Sequence, residues 1–564
     1  MNIVKAPTDP EKQRPYFYII KDKEIFSSPS DDGRGVSFLY QSGGRLISSA
    51  KITGNVQDEK ILKMLESTDG FKKLVHSIGV SVEMNDPSSE VDFDFQMYGK
   101  KDLYGGGANI EAQLKADMSE KRIYMSDVDW KADDDIPGQV RVYLPKPEEK
   151  AHLNVRLYLN DGFDAPPQTE EQKVDVESAG YVDMIKKSLV QPGNVRRLHK
   201  LKSKAARGEE VTIAYIGGSI TQGAGATPIN TECYAYKSFK KIKELLGNGD
   251  NVHYVKAGVG GTPSELGMLR FERDVLRDGS VEPDLVIVEF AVNDDGDETK
   301  GKCYESLVRK VLKQPNEPAV ILLFSVFADD YNLQDRLMPV GERYDLPMVS
   351  VKNAVVEQFY AGDKKIISKH QYFYDMFHPT NLGHTVMADC IVNLIKEAFK
   401  AEAVDEERGL EGEPAIGSDF EDVFLIDKKD NPEFAKIDEG GFTLQDTVLQ
   451  SVEMNEDIET TPEFPYNWMY DGKKCKHESF KMEINCSKLL VIMKDSGEVD
   501  AAAAKVYVDG KFVRDLDPYV NRWCHCNPLI VIDEKCTGSH VVEIVPDEDE
   551  VRDKFTILGF GVVK

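Results

Sequence analysis

The chain has 564 residues, 41% of them apolar and 30% charged, with a formal net charge of 70 − 98 = −28. That length exceeds one ordinary core and calls for two to four domains. No apolar run of about 18 residues is present to span a membrane, and the acidity repels nucleic acid and anionic lipid. The expected partner is a neutral substrate, with no nucleic acid and no membrane; oligomeric state leaves no mark in the sequence.

The opening segment MNIVKAPTDPEKQRPYF lacks a basic start followed by an apolar stretch, so a cytoplasmic location is expected. Eight cysteines scattered through the chain fit reduced thiols and not a disulfide framework. From about 15 to 165, short alternating runs such as GVSFLYQS, VDFDFQMYG, KRIYMSDVDW, GQVRVYLP and LNVRLYLNDG are punctuated by Gly, Pro and Asp. They predict a β-sandwich or jelly-roll-like domain over 1–175, with one helix near 58–79. Residues 176–208 look like a linker and a basic helix.

From about 211 the pattern changes. VTIAYIG, VHYVKAGV, DLVIVEFAV, AVILLFSVF and LPMVSV are unbroken apolar runs separated by amphipathic stretches. Such strands belong to a parallel sheet covered on both faces, a doubly wound α/β domain over 209–402. Helices are expected at about 233–246, 264–277, 302–313, 353–361 and 382–400, and the functional loops at the C-terminal ends of the strands. An acidic connector follows, AEAVDEERGLEGEPAIGSDFED. Over 403–564, KLLVIMKD, AKVYVDGKFV, PLIVID, HVVEIVP and FTILGFGVV repeat the alternating signature of a second β-sandwich-like region.

The first α/β strand ends in AYIGGSITQG, a glycine turn with Ser219 at its apex. It matches neither a phosphate-binding loop nor the G-x-S-x-G elbow. A serine nucleophile needs a base oriented by a carboxylate, and YDMFHPTNLGH supplies Asp375 and His378 three residues apart. An oxyanion needs fixed donors. Gly261 in KAGVGGTPS and Asn293 in VEFAVNDD offer a backbone N–H and a side-chain amide at the ends of the next two strands. Taken singly, each motif fits a capped loop; together and in order they point to hydrolysis. Arg270 fits an ion pair, His384 packing, and Asp294 and Asp295 support of the Asn293 loop. Cys524, His525 and Cys526 in WCHCNP lack the second ligand pair of a zinc site and fit a structural or substrate-facing loop. No metal or cofactor is expected.

The order Ser219 in GGSIT, Gly261 in GVGGTPS, Asn293 in AVND, then Asp375 and His378 in DMFHP resembles the SGNH superfamily, the GDSL-type hydrolases. The resemblance covers about 190 residues. It implies a flavodoxin-like doubly wound sheet, Ser219 as nucleophile and first oxyanion donor, Gly261 and Asn293 as further donors, His378 as general base and Asp375 as its orienter. Two residues depart from the pattern: Gly218 replaces the acidic residue of the GDSL form, and Ala291 the glycine usual two before the Asn. GGSITQG is similar to the variant of esterases acting on acetylated sugars. With no lid segment visible and Trp130, Trp468 and Trp523 all in the flanking β regions, the expected substrate is an acetylated oligosaccharide, with Trp468 and Trp523 as stacking platforms. The alternatives are a short-chain lipid or thioester hydrolase with the same triad, and a non-catalytic carbohydrate-binding protein.

Overall fold

The computed structural model describes residues 13–40, 43–166, 171–404, 407–430 and 432–564. The first twelve residues, on which the reading of the opening segment rests, and residues 405–406 of the acidic connector lie outside that set. The chain divides into two compact units, 1–174 with 368–380, and 175–367 with 381–564. Among the described residues no helix is long and apolar enough to cross a membrane.

In the first unit, strands Tyr16–Phe26, Val75–Glu83, Lys121–Tyr124 and Lys150–Leu159 form one sheet. Ser28–Pro29, Gly35–Tyr40, Glu90–Gly99, Asn109–Lys115 and Asp134–Leu144 form another. All their pairings are antiparallel. Ile78, Val80, Leu153 and Val155 of the first sheet join Phe93, Phe95, Val140 and Val142 of the second in one buried cluster. The helix expected near 58–79 is instead two short helices, Glu59–Met64 and Thr68–Leu74, capped by Asp58 and Ser67. The tail VHSIGVSVE becomes a strand, as its β-branched residues favour.

In the second unit, strands Leu189–Gln191, Met348–Ser350, Ala319–Phe324, Leu285–Glu289, Val211–Gly217 and Val252–Gly258 lie in that spatial order. The last five are parallel, and in chain order they run 2-1-3-4-5, the flavodoxin-like arrangement. Helices Tyr234–Leu245, Ser264–Asp274, Lys302–Leu312, Val351–Phe359 and Asn381–Ala398 stand within about three residues of the predicted ones at either end. Two features differ. The segment read as a linker contributes Leu189–Gln191, an edge strand antiparallel to Met348–Ser350. A further helix, Gln334–Tyr344, carries Pro339 inside it, and that proline hid its periodicity.

The C-terminal region forms one hydrogen-bonded eight-stranded sheet. PLIVID and HVVEIVP, read as separate strands, are parts of a single strand, His525–Asp547, paired along its length with Phe480–Asp495. Alternation sorts the second of these between two cores. Leu490 and Ile492 join Leu269, Met268 and Tyr304 of the α/β helices, whereas Leu489 and Val491 join Trp468, Phe480 and Phe560 on the opposite face.

Two buried polar side chains fix the strand ends. Arg270, fully buried, donates to Gly217 O and Ala257 O, each at 2.7 Å, and pairs with Asp274 at 3.1 Å. Asp294 accepts from both the backbone N–H and the hydroxyl of Ser264 at 2.7 Å, holding the start of helix Ser264–Asp274. Burial, reinforced by the charge of Asp297, pushes the Asp294 carboxyl up to about 8. The folded protein therefore keeps a proton there that the unfolded chain has already released. This contribution is fully present below about 4 and is lost as pH rises through about 8, at up to about 1.4 kcal/mol per pH unit. Asp294→Asn keeps an oxygen acceptor for the Ser264 N–H, can donate its NH₂ to the Ser264 hydroxyl, and removes the titration. Its melting temperature between pH 5 and 8 is expected to decline less than that of the wild type, as measured by circular dichroism; parallel curves would refute the protonated state.

Candidate functional site

Ser219 opens the short helix Ser219–Gln222 directly after strand Val211–Gly217. Its carbonyl accepts from the N–H groups of Gly223 and Ala224, both at 2.9 Å, so the turn closes on itself and leaves the half-buried serine at the sheet's C-terminal edge. Gly218 has a steric reason: a Cβ there would lie 2.6 Å from Asn293 Cγ. The Asn293 carboxamide fills the place that the acidic residue of the GDSL form would need.

Asn293 stands in a turn after strand Leu285–Glu289, with the N–H groups of Asn293 and Asp294 on Phe290 O at 2.9 and 3.2 Å. Leu333 N–H on Ala291 O at 2.7 Å and Arg336 on Asp294 O at 3.0 Å support it from the neighbouring loop. Asp295 accepts from the Tyr331 hydroxyl at 2.8 Å. Ser219 and Asn293 thus flank the point where the strand order reverses, which is where open α/β sheets place their ligands.

Gly261 follows strand Val252–Gly258 and is exposed, with φ +71°, a backbone state that glycine adopts without penalty. The loop lies against the Ser219 turn: a Cβ on the adjacent Gly260 would meet Ser219 Cβ at 3.8 Å. A Cβ on Gly261 itself would strike the Trp523 ring at 2.8 Å. Trp523, 38% exposed, therefore stands beside Gly261 with its ring centroid 4.6 Å from that of His525. Ser219, Gly261, Asn293 and Trp523 are brought together within one unit.

The other predicted pair lies in the first unit. The loop 368–380, counted above with the α/β domain, packs there, with Tyr374 against the sandwich core and Lys23 Nζ 3.0 Å from the Tyr374 ring centroid. Tyr374 N–H bonds to His378 O at 2.9 Å, and Phe373 bridges Pro379. Asp375 accepts from His378 Nδ1 at 3.0 Å and from the N–H groups of Phe377 and His378 at 2.8 Å. Burial alone would raise the Asp375 carboxyl. The charge and hydrogen bond of His378, with Arg45 and the Phe377 N–H, outweigh it and hold the group well below the usual carboxylate range. An ionised Asp375 leaves the proton on Nδ1 and turns Nε2 into the basic nitrogen.

Trp468 does not serve as expected. It is 1% exposed, wedged between Phe480 and Phe560, with Nε1 bonded to Glu439 at 3.1 Å, and offers no face for stacking. Arg270, His384 and Asp294 hold the structural roles read for them; His384 Nδ1 accepts from Tyr234 N–H at 3.1 Å. His525 spends Nε2 on Gly261 O at 2.9 Å, so WCHCNP is a supporting loop. Among the described residues, Glu265, Asp297 and Cys303 bring possible ligand atoms within 4.8 Å of one another. Burial, with the neighbouring acids, pushes Glu265 and Cys303 well up, and Asp297 is engaged by Thr299 and Gly301. Sequence reasoning missed Glu289, at the strand end below Ser219, which burial pushes up to about 7 and which accepts from Thr221 at 3.2 Å. A lone acid closing an apolar strand was its only signal.

Residues 215–386 match the GDSL-like Lipase/Acylhydrolase family, a span that contains Ser219, Gly261, Asn293, Asp375 and His378. A solved two-domain esterase active on acetylated mannans is 27% identical, with a TM-score of 0.58, covering 67% of this chain and 99% of its own. The same kind of esterase co-crystallised with mannopentaose is 28% identical, with a TM-score of 0.58, covering 67% of this chain and 98% of its own. No curated protein matches the chain. The strand order, the Ser219 turn and these matches make the chain a serine carboxylic ester hydrolase with a GDSL-like lipase/acylhydrolase domain.

Proposed function

We propose that the protein is a carbohydrate O-acetyl esterase that removes acetyl groups from acetylated oligosaccharides, with acetylated manno-oligosaccharides as the first substrates to test. The observation that carries this reading is Trp523, an exposed indole that a β-rich region sets beside Gly261. An aromatic face there suits the apolar face of a pyranose, and the site needs no acyl-chain tunnel for an acetyl group. Similarity to an esterase active on acetylated mannans, over two thirds of the chain, supports it. In a cytoplasmic setting, to which the scattered cysteine spacing is suited, acetylated fragments and not intact polymers would be met.

In this reading Ser219 Oγ attacks the acetyl carbonyl while His378 Nε2 takes its proton. The oxyanion is met by the N–H groups of Ser219 and Gly261 and by the Asn293 amide. Collapse expels the sugar oxygen, which leaves with the proton from His378. Water then attacks the acetyl-enzyme, with His378 as base, releasing acetate and restoring Ser219. Asp375 stays ionised throughout and stabilises the imidazolium.

Acetate release from acetylated manno-oligosaccharides tests the substrate, and aryl esters of increasing chain length test the runner-up: a preference for long acyl chains would favour lipid or thioester hydrolysis. Ser219→Ala is expected to lose at least about 10³-fold in kcat with unchanged melting, and Asn293→Ala about 10²–10³-fold with little change in KM. A folded Ser219→Ala enzyme within tenfold of wild type would refute the mechanism and favour the binding-protein alternative.

The pH profile follows from the two carboxyl and imidazole roles. Below the ionisation of His378, kcat/KM on a neutral acetyl ester should fall tenfold per pH unit, because the protonated ring cannot accept the Ser219 proton. Asp375, held far lower, adds no second ionisation on that limb. A limb of slope two, or a flat profile from pH 5 to 8, would contradict the assignment.

Trp523→Ala is expected to raise KM for acetylated oligosaccharides about tenfold while leaving small aryl acetates within about twofold, since stacking is worth about 1–1.5 kcal/mol. Equal effects on both substrates would assign Trp523 to support of the loop alone.

A further inference from the structure

Both peptide groups flanking Gly261 are gripped from the C-terminal region. The Gly260 carbonyl accepts from Gln450 Nε2 at 2.8 Å, and the Gly261 carbonyl from His525 Nε2 at 2.9 Å. These two side chains are themselves built in. Gln450, 8% exposed, takes the Cys526 N–H on its Oε1 at 2.9 Å, and its own carbonyl takes the Glu463 N–H at 2.7 Å. That fixes which end of the amide faces Gly260, because only the NH₂ end donates to a carbonyl. His525, 4% exposed, must carry its proton on Nε2 to reach Gly261 O, which leaves Nδ1 to accept from Asn521 at 3.3 Å. Asn521 is in turn anchored on Asp495 at 2.7 Å.

The consequence lies in peptide geometry. Gly260 C=O and Gly261 N–H belong to one rigid trans plane and point in opposite directions. Holding the carbonyl therefore aims the N–H, and a hydrogen bond on the carbonyl polarises the group and strengthens its donor. The need is acute at this position. Two consecutive glycines, the second at φ +71°, have more backbone freedom than any other pair, and an oxyanion donor is effective only when its direction is fixed before the charge develops.

We propose that Gln450 is a positioning residue of the oxyanion site: it clamps the Gly260–Gly261 peptide so that the Gly261 N–H faces the developing oxyanion, while His525 fixes the following peptide. The clamp rests on the reading of Gly261 as a donor and makes the C-terminal region part of the reaction apparatus. A purely structural role, anchoring that region to the α/β sheet, would lower stability without selecting the transition state.

The test is Gln450→Glu in the full chain. The carboxylate keeps the size and the acceptor for the Cys526 N–H but has no donor for Gly260 O. The expected result is a loss of about 10–100-fold in kcat on an aryl acetate with KM within about twofold, and a matching loss of affinity for an arylboronic acid, which forms a tetrahedral adduct on the serine. Should Gln450→Glu fail to fold by circular dichroism, Gln450→Met, of similar length and uncharged, carries the same expectation. A folded variant with kcat within twofold of wild type, or with the loss confined to KM, overturns the clamp. Ser219→Ala, run in parallel, separates the two failures. If it is inactive and Gln450 variants are unaffected, only the clamp falls; if it retains activity, the mechanism and the clamp fall together.

Discussion

A buried guanidinium must satisfy its donors inside the protein, because leaving a charge unpaired in the core costs several kcal/mol. Arg270 turns its two terminal nitrogens to the carbonyls of Gly217 and Ala257, the ends of the two strands that carry the Ser219 turn and the Gly261 loop, and to Asp274. Satisfying one side chain thus sets the spacing of two loops. Asp274 pairs with Arg270 and with Arg273, and Arg273 forms an ion pair with Glu463 of the C-terminal region. The Glu463 N–H bonds to Gln450 O, and Gln450 reaches back to Gly260. A continuous line of polar contacts therefore runs from beneath the Ser219 turn, through the accessory sheet, to the back of the Gly260–Gly261 loop.

This coupling explains why the C-terminal sheet belongs to the same compact unit as the α/β domain. One face of strand Phe480–Asp495 covers helices Ser264–Asp274 and Lys302–Leu312 through Leu490 and Ile492, so that face never meets water. The two tryptophans of the region divide by the same logic. Trp468 sits on the far face with Phe480 and Phe560 and fills a core; Trp523 sits in the loop before the longest strand, where no core claims it, and remains half open beside Gly261.

Unbroken β-branched runs placed all five parallel strands, and amphipathic periodicity placed their helices, because both signals are local. Leu189–Gln191 was not legible: three residues pairing with an edge carry no period, and only the tertiary partner Met348–Ser350 makes them a strand. Val75–Glu83 was read as a helix tail because capped helical turns run directly into it. Of the candidate site, Ser219, Gly261, Asn293, Asp375 and His378 can be read from the sequence as an ordered set of motifs, which the proposed mechanism takes up. Gln450 and His525 cannot be, since their partners are backbone carbonyls some 190 and 264 residues away, and a carbonyl leaves no trace in residue identity. Trp468 shows the reverse error: aromatic type reveals the capacity to stack but not the exposure stacking requires.

Three buried carboxyls are sorted by what surrounds each, not by residue type. Asp375 accepts two backbone N–H groups and an imidazole, and is held ionised against its burial. Asp294, equally buried, faces Asp297 and Glu289 where Asp375 faces His378 and Arg45, and keeps its proton up to about 8. Burial pushes the Glu289 carboxyl up to about 7 against hydrogen bonds from Ser325 and Thr221. In a chain of net charge −28 this sorting matters, because each raised carboxyl removes one unit of repulsion from a buried, weakly screened neighbourhood. Within the α/β unit, the dry surroundings that favour the neutral carboxyl at Asp294 and Glu289 also strengthen the hydrogen bonds made beside them.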